Sequence, residues 1–99
     1  MSSSDITRYV VTFRYQDAGL AAGLELNSAM TNSGFTTTLQ DDEGRTHELG
    51  TNSYGLVSAK NAEEVRQQAV SIGTLALESE PEVEVQRFAD FLQQNRPDI

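Results

Sequence analysis

The one histidine of the sequence, His47, is the side chain best suited to proton transfer near neutral pH. It follows a predicted turn, on an arm of a predicted hairpin. A general base needs a partner that orients it and a phosphate or carbonyl that it serves. Because the sequence specifies no such partner, a solvated strand histidine is the favoured alternative to a catalytic one.

Three consecutive acids, Asp41, Asp42 and Glu43, precede Gly44 and offer the oxygen ligands that Mg²⁺ prefers. An ordinary solvated turn explains the same residues and is the favoured interpretation, since the spacing does not fit an EF-hand. The sequence also lacks a glycine-rich phosphate loop and a nucleophile motif. We therefore predict no metal and no cofactor.

Two arginines, Arg8 and Arg14, share one face of a predicted first strand at residues 6–15. Paired guanidinium groups on an open sheet can hold phosphates, which makes these residues candidates for RNA binding. The favoured alternative is cross-strand pairing with Glu82 and Glu84 on a last strand beside the first.

Composition limits the function classes. The chain has 99 residues, 37% of them hydrophobic, and no cysteine, which predicts one domain with a core at about 6–92 and excludes thiol chemistry. No stretch has a signal peptide's or a membrane span's character, so we expect a cytoplasmic protein without a membrane partner. The net charge of −8 disfavours DNA and general nucleic-acid binding, but allows a transient RNA contact at an arginine cluster.

The first half of the sequence predicts a strand, a helix and a hairpin. Period two places one set of the strand's side chains in the core: Tyr9, Val11, Phe13 and Tyr15. A helix over 18–33 begins after Asp17, ends at Gly34 and contributes apolar side chains: Leu20, Leu24, Leu26 and Met30. A strand over 35–40 turns at 41–44, and its return arm is interrupted at 50–52 and resumes at 53–57.

The second half predicts a helix, a strand and a short terminal helix. Asn61 and Glu64 have the spacing of a capping box, and an apolar stripe follows: Val65, Ala69, Ile72 and Ala76. Residues 82–86 alternate as a strand with buried valines. The last apolar residues then have helical spacing: Phe88, Phe91 and Leu92.

This order predicts an α+β fold, the βαββαβ ferredoxin-like sandwich. We expect one four-stranded antiparallel sheet with two helices on one face, a short C-terminal helix, and the other face open.

Several short motifs lie along residues 8–90: Tyr9-Val10-Val11-Thr12-Phe13-x-Tyr15, Met30 with Phe35, Asp42-Glu43-Gly44, Leu49-x-x-Asn52-Ser53-Tyr54 and Ala62-Glu63-Glu64. Together they resemble the GhoS antitoxin family. The resemblance implies a ferredoxin-like fold. It also implies, for the branch that acts in a type V toxin–antitoxin system, an endoribonuclease that cuts the mRNA of a small membrane toxin.

Under that hypothesis, His47 is the base or acid, Arg45 beside it is a catalytic cation, and Arg8 or Arg14 binds RNA. The family also includes small proteins of unknown function. The alternative is therefore a non-catalytic interaction module that binds a protein partner or itself, which the acidic charge and an exposed strand edge favour.

Overall fold

The first strand, β1 (Thr7–Arg14), is the centre of a sheet in the computed structural model, which describes residues 6–15 and 20–94. The other elements follow in chain order: α1 (Leu20–Asn32), β2 (Thr38–Gln40), β3 (Thr46–Glu48), β4 (Ser53–Ser58), α2 (Ala62–Leu77), β5 (Glu82–Arg87) and α3 (Phe88–Gln94). The α+β class and the order of the main elements agree with the prediction.

The main sheet has three antiparallel strands in the order β4-β1-β5. Val10 pairs with Gly55 on one side, and Val11 pairs with Val85 on the other. The prediction that the last strand lies antiparallel beside the first is confirmed, and β1 is the central strand.

The predicted single four-stranded sheet is wrong. Strands β2 and β3 form a separate two-stranded sheet, and just before β2 Thr36 and Gly55 of β4 exchange both backbone hydrogen bonds in an isolated bridge to the main sheet. After this bridge the Thr36 hydroxyl donates to the carbonyl of Thr38, and the chain turns off the edge of the sheet. Leu39 then packs directly over Gly55, which leaves room for it because it has no Cβ.

The prediction of an open sheet face is also wrong, because the β2–β3 hairpin and α3 cover it. A second core lies there, formed by Val10, Leu39, Leu49 and Phe88, with Phe91 and Leu92 packed against it. Val10 is fully buried. Burying a valine or phenylalanine side chain contributes about 1.5–3 kcal/mol, so this second core is a substantial part of the fold's stability.

The main core lies on the opposite face, between the sheet and the helices α1 and α2. Its buried members include Val11, Phe13, Leu26, Met30 and Val65. Leu24, one of the apolar side chains of the predicted helix, is 61% exposed on α1 and lies outside this core. The predicted cap Asp17 lies outside the described residues, and so does the side chain of Leu20.

Local signals in the sequence are confirmed at three places. The Asn61 side chain accepts from the Glu64 backbone N–H at 2.8 Å, and the Glu64 carboxylate accepts from the Asn61 N–H, which completes the capping box of α2. Gly34 has a φ of 99° at the end of α1. Gly50 and Asn52 also have positive φ, and they separate β3 from β4.

Within residues 6–15 and 20–94, no helix has the length and apolar character needed to cross a membrane.

Candidate functional site

Phe88, the first residue of α3, connects a histidine and an arginine from different strands. Its ring is buried and makes an edge contact with His47, at 5.8 Å between centroids and 72° between planes. The Arg8 guanidinium carbon lies 5.7 Å from the centre of the same ring, a cation–π distance. We call Arg8, Asp41, Asp42, His47 and Phe88 the phenyl-ring cluster.

His47 lies on β3 and is held by a carboxylate at the end of β2. Its Nε2 atom is 2.9 Å from Asp41 Oδ2, while the imidazole remains one-third exposed. The hairpin register pairs Leu39 with His47 and Gln40 with Thr46. This register brings Asp41, the first residue after β2, to the histidine, so the two side chains meet across the hairpin.

Asp41 accepts hydrogen bonds from several donors. Its Oδ1 accepts the backbone N–H groups of Glu43 and Arg45, each at 2.9 Å. The hydrogen bond from His47 and then the Arg45 N–H lower the pKa of Asp41 from 3.8 to about 2. The carboxylate is therefore ionised across the physiological range.

An ionised carboxylate only accepts hydrogen bonds, which fixes the donor in the contact between Asp41 and His47. Nε2 of His47 carries the proton, and in the neutral imidazole Nδ1 then has the free lone pair. Among the described residues, none hydrogen-bonds to Nδ1. The arrangement orients the ring and leaves one nitrogen able to take up a proton, as general base catalysis requires.

Arg8 contacts the same hairpin. Its guanidinium donates to the carbonyl of Gln40 and to the carboxylate of Asp42, 2.5 Å away. The predicted pairing of Arg8 with a glutamate of β5 is wrong, because the hairpin crosses the sheet face and supplies a nearer acid.

A cavity of about 280 Å³ opens beside the cluster. It is lined by Arg8, Asp41, Asp42 and Phe88, together with Arg87 at the end of β5. Arg87 is exposed, and none of the described carboxylates forms an ion pair with it. Arg87 is a cation that the sequence analysis did not single out.

The other two predicted arginines lie elsewhere. Arg14 is six residues from Arg8 on the same strand, about 20 Å away at the usual rise. Its guanidinium donates to Glu84 at 2.9 Å, which confirms the predicted cross-strand pairing for this residue. The Arg45 side chain is exposed, with Nε 3.8 Å from Glu43 Oε1. A role of either side chain toward RNA stays a prediction.

The three acids of the turn diverge toward different partners: Asp41 toward the imidazole of His47, Asp42 toward Arg8, and Glu43 toward Arg45. No group of three or more histidine or acidic side chains in residues 6–15 and 20–94 is placed to hold a metal ion. The acids instead orient the imidazole of His47 and form ion pairs with Arg8 and Arg45, of which Arg8 alone lines the cavity.

Sequence reasoning missed Asp41 as the partner of His47 and missed Phe88 as the surface between His47 and Arg8. The hairpin itself contains a signal for the first, because residues near the ends of paired strands lie within reach of each other. The second depends on how the hairpin and α3 fold over the sheet, for which the sequence has no local signal.

Comparisons with known proteins give one consistent result. The profile of the family described as "Endoribonuclease GhoS" matches residues 1–94. The chain is also similar to two proteins named "Uncharacterized protein YdiZ", from Escherichia coli strain K12 and from Escherichia coli O157:H7. Each is 37% identical over 91 residues, which cover 92% of this chain and 95% of the relative.

Proposed function

The chain belongs to the GhoS endoribonuclease family, and we propose that it cleaves messenger RNA at the phenyl-ring cluster. The observation that carries this proposal is the hydrogen bond between His47 and Asp41, on the same phenyl ring as the guanidinium of Arg8. These groups supply an oriented base and a positive charge, two of the three requirements for attack on a phosphodiester, the third being a proton for the leaving oxygen.

In the proposed reaction the 2′-hydroxyl of RNA attacks the adjacent phosphorus atom. His47 Nδ1 takes the hydroxyl proton, a new bond forms between the 2′-oxygen and phosphorus, and the bond from phosphorus to the 5′-oxygen breaks. The leaving 5′-oxygen takes a proton from water and the protonated imidazole returns its proton to the solvent, which gives a 2′,3′-cyclic phosphate and a 5′-hydroxyl end. Arg8 and Arg87 stabilise the charge on the phosphate oxygens.

The charges of the chain favour a selective and short-lived encounter with RNA. The net charge is −8, so an RNA strand is repelled at long range and attracted only near the arginines of the cavity. Binding that depends on few phosphate contacts has a shallow salt dependence. This suits an enzyme that cuts one class of transcript, and we propose the mRNA of a small membrane toxin as that class, with the protein acting as a cytoplasmic antitoxin.

The residues that build the cluster come from β1, the hairpin and α3, which lie between residues 7 and 94. We therefore propose that the chain acts as a single domain, because separating its two halves would separate Arg8 from Phe88.

The test is incubation of the purified protein with single-stranded transcripts, including a message for a membrane toxin. Ends are mapped with and without EDTA, and a second substrate carries one 2′-deoxynucleotide at a mapped cut. We expect discrete cuts that persist in EDTA, with cyclic phosphate ends, and loss of the cut at the deoxy position. The absence of cuts across the panel would contradict the proposal.

A second candidate function is a non-catalytic interaction module. It is favoured by the edge of β4 beyond the Thr36–Gly55 bridge, where Val57 is half exposed and no described strand pairs with the outer backbone. Such an edge can add a strand from another chain. Sedimentation of the purified protein tests self-association, and a monomer at all concentrations would contradict that form of the module.

A further inference from the structure

The guanidinium of Arg8 is bound by the hairpin that it faces. Both of its hydrogen bonds end on this hairpin, one at the Gln40 carbonyl and one at the Asp42 carboxylate. The Phe88 ring lies against the guanidinium. Arg8 therefore has a fixed position on the protein, and one of its contacts is an anion.

Asp42 is a loosely held partner in this pair. Its side chain is 90% exposed, whereas that of Arg8 is 36% exposed. Among the described residues, Asp42 makes no other side-chain hydrogen bond or ion pair. An exposed ion pair of this kind is weak, so the carboxylate can leave at little cost.

The turn does not need Asp42 to keep its shape. Asp41 accepts the backbone N–H groups of Glu43 and Arg45 and the imidazole N–H of His47, and Gly44 takes the positive φ. These contacts remain if Asp42 swings away. Release of Asp42 therefore frees Nη2 of Arg8 without displacing His47, while Nη1 keeps its bond to the Gln40 carbonyl.

We propose that Asp42 occupies the position of an RNA phosphate on Arg8 and that substrate binding displaces it. This inference rests on the proposed function and adds the regulation of its site: the free protein is self-inhibited by its own carboxylate. A phosphate presents two oxygens to the guanidinium as a carboxylate does, and Arg87 on the same cavity gives the phosphate a second cation. The exchange replaces one ion pair by another with more contacts.

The test compares Asp42→Asn with Glu43→Gln. Both substitutions remove one negative charge from the same turn, but Glu43 lies near Arg45 and not near Arg8. The probe is a fluorescein-labelled single-stranded oligoribonucleotide of mixed sequence, and its affinity is measured by fluorescence anisotropy. Both changes reduce general repulsion. We expect Asp42→Asn to tighten binding about two- to fivefold more than Glu43→Gln does, the range that an exposed ion pair allows.

The same two substitutions are then made in an Arg8→Gln protein, in which Asp42 has no guanidinium to pair with. In that protein we expect Asp42→Asn and Glu43→Gln to change the RNA affinity equally. Equal effects of the two changes in the wild-type background, or no RNA binding by Asp42→Asn, would overturn the inference. Cleavage is recorded separately. If Asp42→Asn binds RNA more tightly but no variant cleaves it, the result would support the displacement of Asp42 by RNA. The same result would contradict the proposed endoribonuclease activity.

Discussion

The carboxylate of Asp41 and the imidazole of His47 meet across the β2–β3 hairpin, 2.9 Å apart between Oδ2 and Nε2. Since Asp41 is ionised, this contact selects the imidazole form that carries its proton on Nε2 and leaves Nδ1 free. The two residues lie six positions apart in the sequence. The hairpin thus makes an oriented base from a lone histidine and an acid of its own turn.

Acid stability tests the Asp41 contact. The pKa of Asp41 is lowered from 3.8 to about 2, so its interactions stabilise the folded chain fully above about pH 4 and lose this effect as the pH falls toward 2. We expect Asp41→Asn to show a shallower decrease of the free energy of unfolding from pH 4 to 2 than the wild type. Urea denaturation at each pH measures this free energy of unfolding for both proteins.

His47→Ala gives the second arm of this experiment, because it removes the largest cause of the lowered pKa of Asp41. Its curve should lie between those of the wild type and Asp41→Asn. Parallel curves for all three proteins would show that the hydrogen bond contributes nothing in solution.

Two arginines of β1 form a matched pair for RNA binding. Arg8 lines the cavity beside Phe88, whereas Arg14 lies at the other end of the strand with Glu84. We expect Arg8→Gln to weaken RNA binding roughly three- to tenfold, the net contribution of one typical hydrogen bond, and Arg14→Gln to change it less than twofold. Anisotropy at one low salt concentration measures both, and a larger effect of Arg14→Gln would move the binding site to the other end of β1.

The crossing of Leu39 over Gly55 is tested by adding one methyl group. A Cβ at Gly55 would lie 2.6 Å from Leu39 Cγ, so Gly55→Ala forces the hairpin from the sheet and should destabilise the fold by about 1–3 kcal/mol. Gly23→Ala in α1 is the control, since among the described residues a Cβ there meets Tyr15 Oη alone, at 3.8 Å. We expect it to stabilise the fold by about 0.5–1 kcal/mol. Chemical denaturation of both variants measures the change in the free energy of unfolding. No change for Gly55→Ala would contradict the packing of Leu39 over Gly55.

The capping box of α2 predicts a third stability difference. Asn61→Ala removes the acceptor for the Glu64 N–H and should cost about 1 kcal/mol, while Asn61→Asp keeps an acceptor and should cost less. Thermal unfolding of both variants, monitored by circular dichroism, measures the difference. Equal midpoints would show that the cap does not contribute.

The sequence predicts those parts of the fold that depend on local patterns. The Asn61 and Glu64 spacing specifies where α2 begins, and the alternation in residues 82–86 specifies β5, because caps and period-two burial act over a few residues. The sheet neighbours of β1 also follow from the order of elements.

The path of the hairpin could not be predicted in the same way. The pattern of residues 35–40 fits an edge strand and a crossing hairpin equally, and only the contact of Leu39 with Gly55 decides between them. One signal pointed to the answer: Val10 and Val11 are consecutive apolar residues on opposite faces of β1, as expected of a strand covered on both sides. The candidate site could not be predicted for the same reason, since Arg8 and His47 contact Phe88 only because the hairpin and α3 cover that face.

The most direct test of the central claim is the single-turnover rate of RNA cleavage by the wild type and His47→Gln. Glutamine can still donate a hydrogen bond to Asp41 but cannot take up the proton, and circular dichroism checks that the variant is folded. We expect the rate to fall about 10²- to 10⁴-fold, as when a general base is removed. An unchanged rate in a folded His47→Gln protein would contradict the account.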